Sequence, residues 1–275
     1  MASDPTLEAT DLVCWKVAGG NMRIQRAVAI PGLRGVLHSF PLHSDRGGDL
    51  HYLSACGSGA IARVCIADVT GHGEEVAEFS GWLEIAFSAH IHRGSPAGVL
   101  HAVNKRAEKR GLELMSTGIC FSYNSLNGTL RHCCAGHPPM HLRRVDGTDW
   151  EPLPLPPRDS PWNLPIGIDG GARFDVAKVW LQPGDQILLH TDGLTEAQDA
   201  HGRLFGKTMW SLPCFRAANM RPEDRARGLL EAWTEHIGGV ERAEDDLTFA
   251  VLECQPFQKG NRYTLFAQNH FSRKA

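Results

Sequence analysis

The sequence predicts an α+β fold of two mainly antiparallel β-sheets flanked by helices, and three observations carry that prediction. Short β-type runs recur along the chain and are joined by turns rich in Gly, Asn and Pro, which is the pattern of antiparallel neighbours. Two segments between residues 74 and 110 instead repeat apolar residues at spacings of three and four, so each is a helix with one face on a core. The chain's 275 residues, 42% of them apolar, suffice for one large core with helices laid over a sheet.

The segment up to about Gly48 is weakly patterned, with a strand around Arg23 to Ile30 and a Pro31-Gly32 turn. HYLSAC (51–56) and Ile61 to Val69 read as strands. A helix follows from Glu74 to about His92, with Val76, Phe79, Leu83, Ala86, Phe87 and Ile91 as its buried stripe. The next helix has Ser95 as N-cap, Pro96 at its first position, Val99, Leu100, Val103 and Ala107 on its face, and Gly111 past its end. Met115 to Tyr123 and Thr129 to Cys134 form a hairpin through Asn127-Gly128, and Met140 to Val145 is a further strand ending at Asp146-Gly147. Five prolines make 151–163 an extended irregular loop. Arg173 to Leu181 and Gln186 to Thr191 pair through the Gln182–Asp185 turn, and a helix from about Pro222 to Ile237 precedes a last strand, Leu247 to Cys254.

A formal net charge of -3 gives no electrostatic case for nucleic acid as a partner. The opening MASDPTLEATDL has acids and no apolar core, and no run of about 18 apolar residues occurs, so neither secretion nor a membrane span is expected, and the cytoplasm is the expected compartment. Eight cysteines include no C-x-x-C pair, and several lie inside apolar runs, where reduced, buried thiols are expected.

Acids gather at the ends of β-type runs: Asp49 after Gly47-Gly48, Asp68 after the apolar run 64–67, Asp192 after QILLHT, and Asp245-Asp246 before the last strand. An acid beside a turn ordinarily serves backbone hydrogen bonds. Several acids bordering buried strands go further, because carboxylates repel one another unless a cation separates them. Oxygen ligands without cysteine or a matched histidine pair favour Mg²⁺ or Mn²⁺. His90 and His92, two apart on a helix, point to different faces and cannot share a zinc ion. Gly71 and Gly73 would let backbone approach such a site.

ADVTGHG (67–73), CAGHPP (134–139), LPIGI (164–168), LQPGDQILLHTDGLTEAQDAHGRLFG (181–206) and EDDLTFAVLE (244–253), in that order, resemble the SpoIIE/RsbU-type branch of the PPM (PP2C-like) metal-dependent serine/threonine phosphatases. The resemblance implies a phosphatase domain over residues 35–254; the segment before it, 1–34, is expected to add an edge strand, and 255–275, with Lys259, Arg262, Arg273 and Lys274 and no acid, to be a flexible basic tail. It implies an α-β-β-α sandwich with two Mn²⁺ or Mg²⁺ ions at one end. Asp68 would bridge both ions, with the Val69 carbonyl beside it; Asp192 and Asp245 would hold the first ion, Asp49 would lie near the centre, and Asp246 joins the metal-holding set. Asp68, Asp192 and Asp245 would thus be the catalytic residues, and Gly71, His72, His137 and Gly193 are candidates for substrate or loop roles. Where the family commonly has a second acid after its Gly-Gly-Asp and an Asn before Ala-Gly-His-Pro-Pro, this chain has Tyr52-Leu53 and Cys134.

The reaction implied is hydrolysis of a phosphoserine or phosphothreonine by metal-activated water, which needs no protein nucleophile. An aspartyl-phosphate route wants Asp-x-Asp, and His190 stands two before Asp192; no G-x-S-x-G occurs. His72 or His137 could protonate the leaving oxygen. By resemblance the substrate is a small phosphorylated regulator of the anti-sigma-factor-antagonist kind, and control would come from a separate partner or from a homodimer. The rival readings are a phosphatase fold that binds a signalling partner without turnover, and a hydrolase of another phosphoester.

Overall fold

The structure, a computed structural model, describes residues 10–11, 17–42, 45–56, 58–71, 74–92, 94–110, 115–153, 155 and 163–260. In chain order its strands are β1 (Thr10–Asp11), β2 (Val17–Met22), β3 (Ile24–Ile30), β4 (Leu33–Phe40), β5 (Arg46–Ala55) and β6 (Ile61–Val69). Helices α1 (Glu74–His90) and α2 (Pro96–Arg110) follow, then β7 (Ser116–Asn124), β8 (Thr129–Ala135), β9 (His141–Arg143), β10 (Trp150–Pro152), β11 (Ala177–Trp180) and β12 (Gln186–His190). The chain closes with the short helices α3 (Asp192–Thr195) and α4 (Pro213–Arg216), the longer α5 (Pro222–Ile237), and β13 (Leu247–Cys254).

Two sheets are stacked. One has the order β1-β3-β4-β13-β12-β9-β10 and the other β11-β8-β7-β6-β5-β2. Every pairing between these strands is antiparallel except β1 with β3. Inward-facing residues such as Leu37, Ile187, Leu189 and Leu252 of the first sheet meet Val64, Ile66, Ile119 and Phe121 of the second, and fill the space between them. Outward-facing Cys65, Ala67, Cys120 and Cys133 of the second sheet take the apolar stripes of α1 and α2. On the other side Leu188, Phe249 and Val251 receive Leu229 and Trp233 of α5. The order of layers is therefore α-β-β-α.

The stripe predicted for α1 is buried at all six positions, Val76, Phe79, Leu83, Ala86, Phe87 and Ile91. Glu74 and Glu75 occupy its first turn, where the helix dipole favours acids. Ser95 caps α2 by accepting the Gly98 N–H at 3.1 Å. Gly238, at φ +79°, closes α5 in the left-handed conformation.

Several expectations are corrected. The loop between β7 and β8 has four residues, and of Asn127-Gly128 only Gly128 takes positive φ. The strand expected from Arg173 is confined to β11, because the Asn163 side chain accepts the Asp175 N–H and the Asn163 backbone N–H bonds to the Arg173 carbonyl, which draws that stretch into a loop; β11 pairs with β8 of the second sheet and not, as expected, with β12, which lies in the first. Asp49 lies inside β5, which begins at Arg46, and not ahead of a strand. The weakly patterned N-terminal region contributes β4, the central partner of β13, and β2, an edge of the second sheet. The limit expected at residues 34 and 35 falls within β4. Gly111 and most of the expected tail, from residue 261, lie outside the described residues. The seven described cysteines are free thiols, and among the described residues no helix is long and apolar enough to cross a membrane.

Candidate active site

Four chain segments bring acids to one end of the sandwich. β6 delivers Asp68 as its penultimate residue, with Asp68 opposite Thr117 and Val69 opposite Ser116 on β7. The Ser116 hydroxyl donates to the Asp68 carbonyl at 2.8 Å, which fixes the strand where it must present its carboxylate. β5 supplies Asp49, only 3% exposed. α3 begins at Asp192, and the turn before β13 holds Asp245 and Asp246.

The segments are locked together by hydrogen bonds that sequence reading missed. Asp246 accepts the Leu42 N–H on one carboxylate oxygen at 2.6 Å, and the Gly48 and Asp49 N–H groups on the other at 2.6 and 3.3 Å. Expected among the metal-holding acids, Asp246 instead has both oxygens engaged and clamps the start of β5 to the start of β13. Thr191 donates its hydroxyl to Asp49 at 2.8 Å and accepts the Thr248 N–H at 3.1 Å, tying β12, β5 and β13 at one point. The Thr in each of T-D-G and D-D-x-T is the signal that could have revealed this.

Glycines permit the approach. A Cβ on Gly193 would overlap the Asp246 carbonyl, and one on Gly47 would overlap the Asp246 carboxylate. A Cβ on Gly48 would stand 3.0 Å from the Val69 carbonyl oxygen. Gly71 takes φ +105°, a conformation that side chains disfavour, and so turns the chain away after β6.

The electrostatics are one-sided. Burial first, then the negative charges of Asp192, Asp245 and Asp246, push the Asp68 carboxyl up to about 8. Asp245, more exposed, is raised to about 6 by desolvation and by Asp192, Asp246 and Glu196, against the Asp246 N–H that it accepts. Asp49 is raised well above its ordinary range by burial and by Asp68 and Asp246. One oxygen of Asp192, Oδ1, is buried with no hydrogen-bond partner. A buried, unpartnered lone pair on an acid whose charge acts on Asp68 and Asp245 is a cost that a cation would remove.

A pair of Mn²⁺ or Mg²⁺ ions fits this chemistry, since the donors are oxygens and in excess of any positive charge. Among the described residues, no three Asp, Glu, His or Cys side chains by themselves form a closed set able to hold an ion. The acids are near enough to repel and too open to make a cage, so water and backbone carbonyls would complete the coordination, as Mg²⁺ ordinarily requires.

His137 is 7% exposed and lies behind this end of β7, with Nδ1 2.7 Å from the Thr117 hydroxyl. Its backbone N–H and carbonyl both contact the Cys134 thiol. Burial, reinforced by His190, pushes its pKa down to about 3, so the ring stays neutral and inside. This corrects the expectation of a proton donor at the cleft, since His137 packs the loop. His72, the other candidate, lies outside the described residues, as does Gly73.

A pH dependence follows from these groups. Asp68 moves from 3.8 to about 8 on folding, so the metal-free folded chain binds the extra proton and loses stability as pH rises towards 8. Buried His38, His51, His132, His137 and His141, lowered to between about 3 and about 4, act in the opposite sense below their ordinary 6.5. Between about pH 7.5 and 8 the carboxylate effect leads, and at higher pH the buried Cys134 and Cys254 thiols, pushed up to about 11 by burial, lower stability in the same sense. Thermal unfolding in EDTA should therefore show a midpoint that falls across that interval, and saturating Mn²⁺ should abolish the fall. A metal-free midpoint that is flat or rises there contradicts the assignment.

A family model described as Stage II sporulation protein E (SpoIIE) matches residues 58–255. Among solved structures, the RsbU and RsbW domains of a Mycobacterium tuberculosis protein superpose with TM-score 0.70 at 24% identity, covering 87% of this chain and 64% of that one. The chain thus spans just under two thirds of that structure. The PP2C phosphatase domain of SpoIIE from Bacillus subtilis, with a fragment of its regulatory domain, gives 0.65 at 17% identity over 90% of this chain and 64% of that one. RsbX, solved in complex with magnesium, gives 0.60 at 13% identity over 84% of this chain and 100% of its own. At these identities the structures share the fold.

Proposed function

The chain belongs to the Stage II sporulation protein E family, with a PP2C-like phosphatase domain of the SpoIIE/RsbU type, and on that premise we propose that it is a divalent-metal-dependent protein serine/threonine phosphatase. Its substrate is a phosphorylated regulatory protein of the anti-sigma-factor-antagonist kind. The observation that carries the reading is the surplus of carboxylate at one end of the sandwich, with Asp192 Oδ1 buried and unpartnered beside acids that raise one another.

Asp68, Asp192 and Asp245 would hold two Mn²⁺ or Mg²⁺ ions, with the Val69 carbonyl at the rim and Asp49 held behind them by Thr191. Such a pair supplies Lewis acidity towards water and neutralises charge on the transferring phosphoryl group. The remaining work belongs to the chain. Asp246 ties the start of β5 in one sheet to the turn before β13 in the other by accepting three backbone N–H groups, which resists spreading of the acids under their mutual repulsion. Gly193 lets α3 lie against the Asp245-Asp246 backbone, and Trp233 donates its indole N–H to the Gly193 carbonyl at 3.2 Å, anchoring α3 to α5. These residues pre-position the acids, so that little reorganisation is needed when a phosphate arrives.

The test is phosphate release from a phosphoserine peptide with Mn²⁺, with Mg²⁺ and with EDTA. Turnover with either ion and none with EDTA is expected. Turnover that persists in EDTA overturns the proposal.

A further inference from the structure

We propose that the outer face of the second sheet carries an anion-binding groove, separate from the acidic centre, for a polyphosphate group either free or carried on a nucleotide. The groove has a volume of about 560 Å³ and lies at the hairpin end of β6, β7 and β8. Strand register puts Arg63 opposite Ser122, Ser122 opposite Arg131, and Arg131 opposite Lys178. Directly opposed residues share a face, so three cations stand in one row across β6, β7, β8 and β11.

This row is next to that of Cys65, Cys120 and Cys133, which α1 and α2 cover; beyond the helices the same face opens into the groove. Arg63 precedes Asp68 by five residues on one strand, which separates the groove from the acids by about 16 Å.

Arg131 and Lys178 are both exposed, and like charges directly opposite each other destabilise a sheet. No carboxylate is among the described residues lining the groove. Lys178 instead rests its ammonium 4.1 Å from the ring centroid of Trp180, itself 58% exposed. That contact is a weak substitute for an anion. With neighbouring strands about 4.8 Å apart, the row is too long for one phosphate to touch all three cations, whereas two or three linked phosphates span it. Arginine suits such oxygens because it offers paired donors, and Ser122 and Asn124 add neutral hydrogen-bonding groups. The groove's size is that of a small-molecule site.

Titration calorimetry of the full chain in EDTA, with inorganic pyrophosphate in one arm and ADP in the other, tests the proposal. Both should bind, more weakly as salt rises, and R131Q/K178Q should weaken both by about tenfold or more, whereas Asp68→Asn should leave them unchanged. Drawing Lys178 off the indole should also change tryptophan emission in the wild type and not in Trp180→Phe. Equal affinities mean that recognition stops at the phosphates; tighter ADP means that a nucleotide is the source. Removing like charges should leave the variant's melting temperature equal or higher, and Lys178→Gln alone, on an edge strand, gives the same reading in milder form. Absence of binding in both arms, or affinity unchanged by R131Q/K178Q, overturns it.

Discussion

Asp68→Asn should lower Mn²⁺-dependent phosphate release by roughly a thousandfold or more, equivalent to about 4 kcal/mol of barrier, in a protein that remains folded. The reason is position. Asp68 is the acid whose carboxyl is raised by Asp192, Asp245 and Asp246 together, so it stands where charge from the other segments converges. Removing that charge also relieves repulsion. In EDTA at pH 8 the variant should therefore melt at or above the wild-type temperature, while with Mn²⁺ the order should reverse, because the wild type gains metal-binding energy that the variant lacks. Activity loss accompanied by unfolding would point to a structural role, and retained turnover would remove Asp68 from the centre.

Gly193→Ala should be the most damaging single-methyl change near the site. The added carbon would overlap the Asp246 carbonyl, which is backbone and cannot rotate away. Overpacking of this kind costs about 1–3 kcal/mol, a fall of about 2–12 °C in melting temperature for a chain this size. Because the displaced segment carries Asp245, activity should fall by at least about tenfold even at temperatures where the variant is folded. Gly81→Ala is the matched control. It lies within α1 with nothing within 4 Å of its added Cβ, so it should be neutral or slightly stabilising and leave turnover unchanged. Equal effects of the two changes would show that Gly193 is not holding α3 against the acid turn.

The parts of the fold legible in the sequence are those where one periodicity dominates. α1 and α2 each bury a single stripe, Ser95 and Pro96 mark a helix start, and the Pro222 and Gly238 punctuation brackets α5. β4 was illegible for a physical reason. It is buried along nearly its whole length, so polar and apolar residues do not alternate, and buried His38 and Ser39 interrupt the run: His38 stacks on Phe249, with its Nδ1 left without a hydrogen-bond partner, and Ser39 accepts the Thr248 hydroxyl. Gly35 reads as a strand breaker yet is required there, since a Cβ would overlap the Val251 carbonyl of the neighbouring strand.

The site divides in the same way. Asp68 stood out because turn chemistry alone does not call for an acid behind the buried run 64–67. The meeting of Asp49, Asp68, Asp192 and Asp245 depends on sheet order, which spacing along the chain does not encode, and only the resemblance of the motifs brought them together. Asp246 shows the limit most clearly. Adjacent to Asp245 and identical in type, it differs in job because its oxygens meet the N–H groups of Leu42, Gly48 and Asp49, partners about 200 residues away. His137 likewise shares a motif with the site while facing the interior.

The most direct measurement is anomalous diffraction at the manganese edge from crystals of the full chain grown with Mn²⁺. Two peaks bounded by the carboxylates of Asp68, Asp192 and Asp245 are expected, with Asp246 still bonded to its three backbone N–H groups. Manganese found only elsewhere on the protein, or none at saturating concentration, would contradict the two-ion centre and the phosphatase assignment built on it.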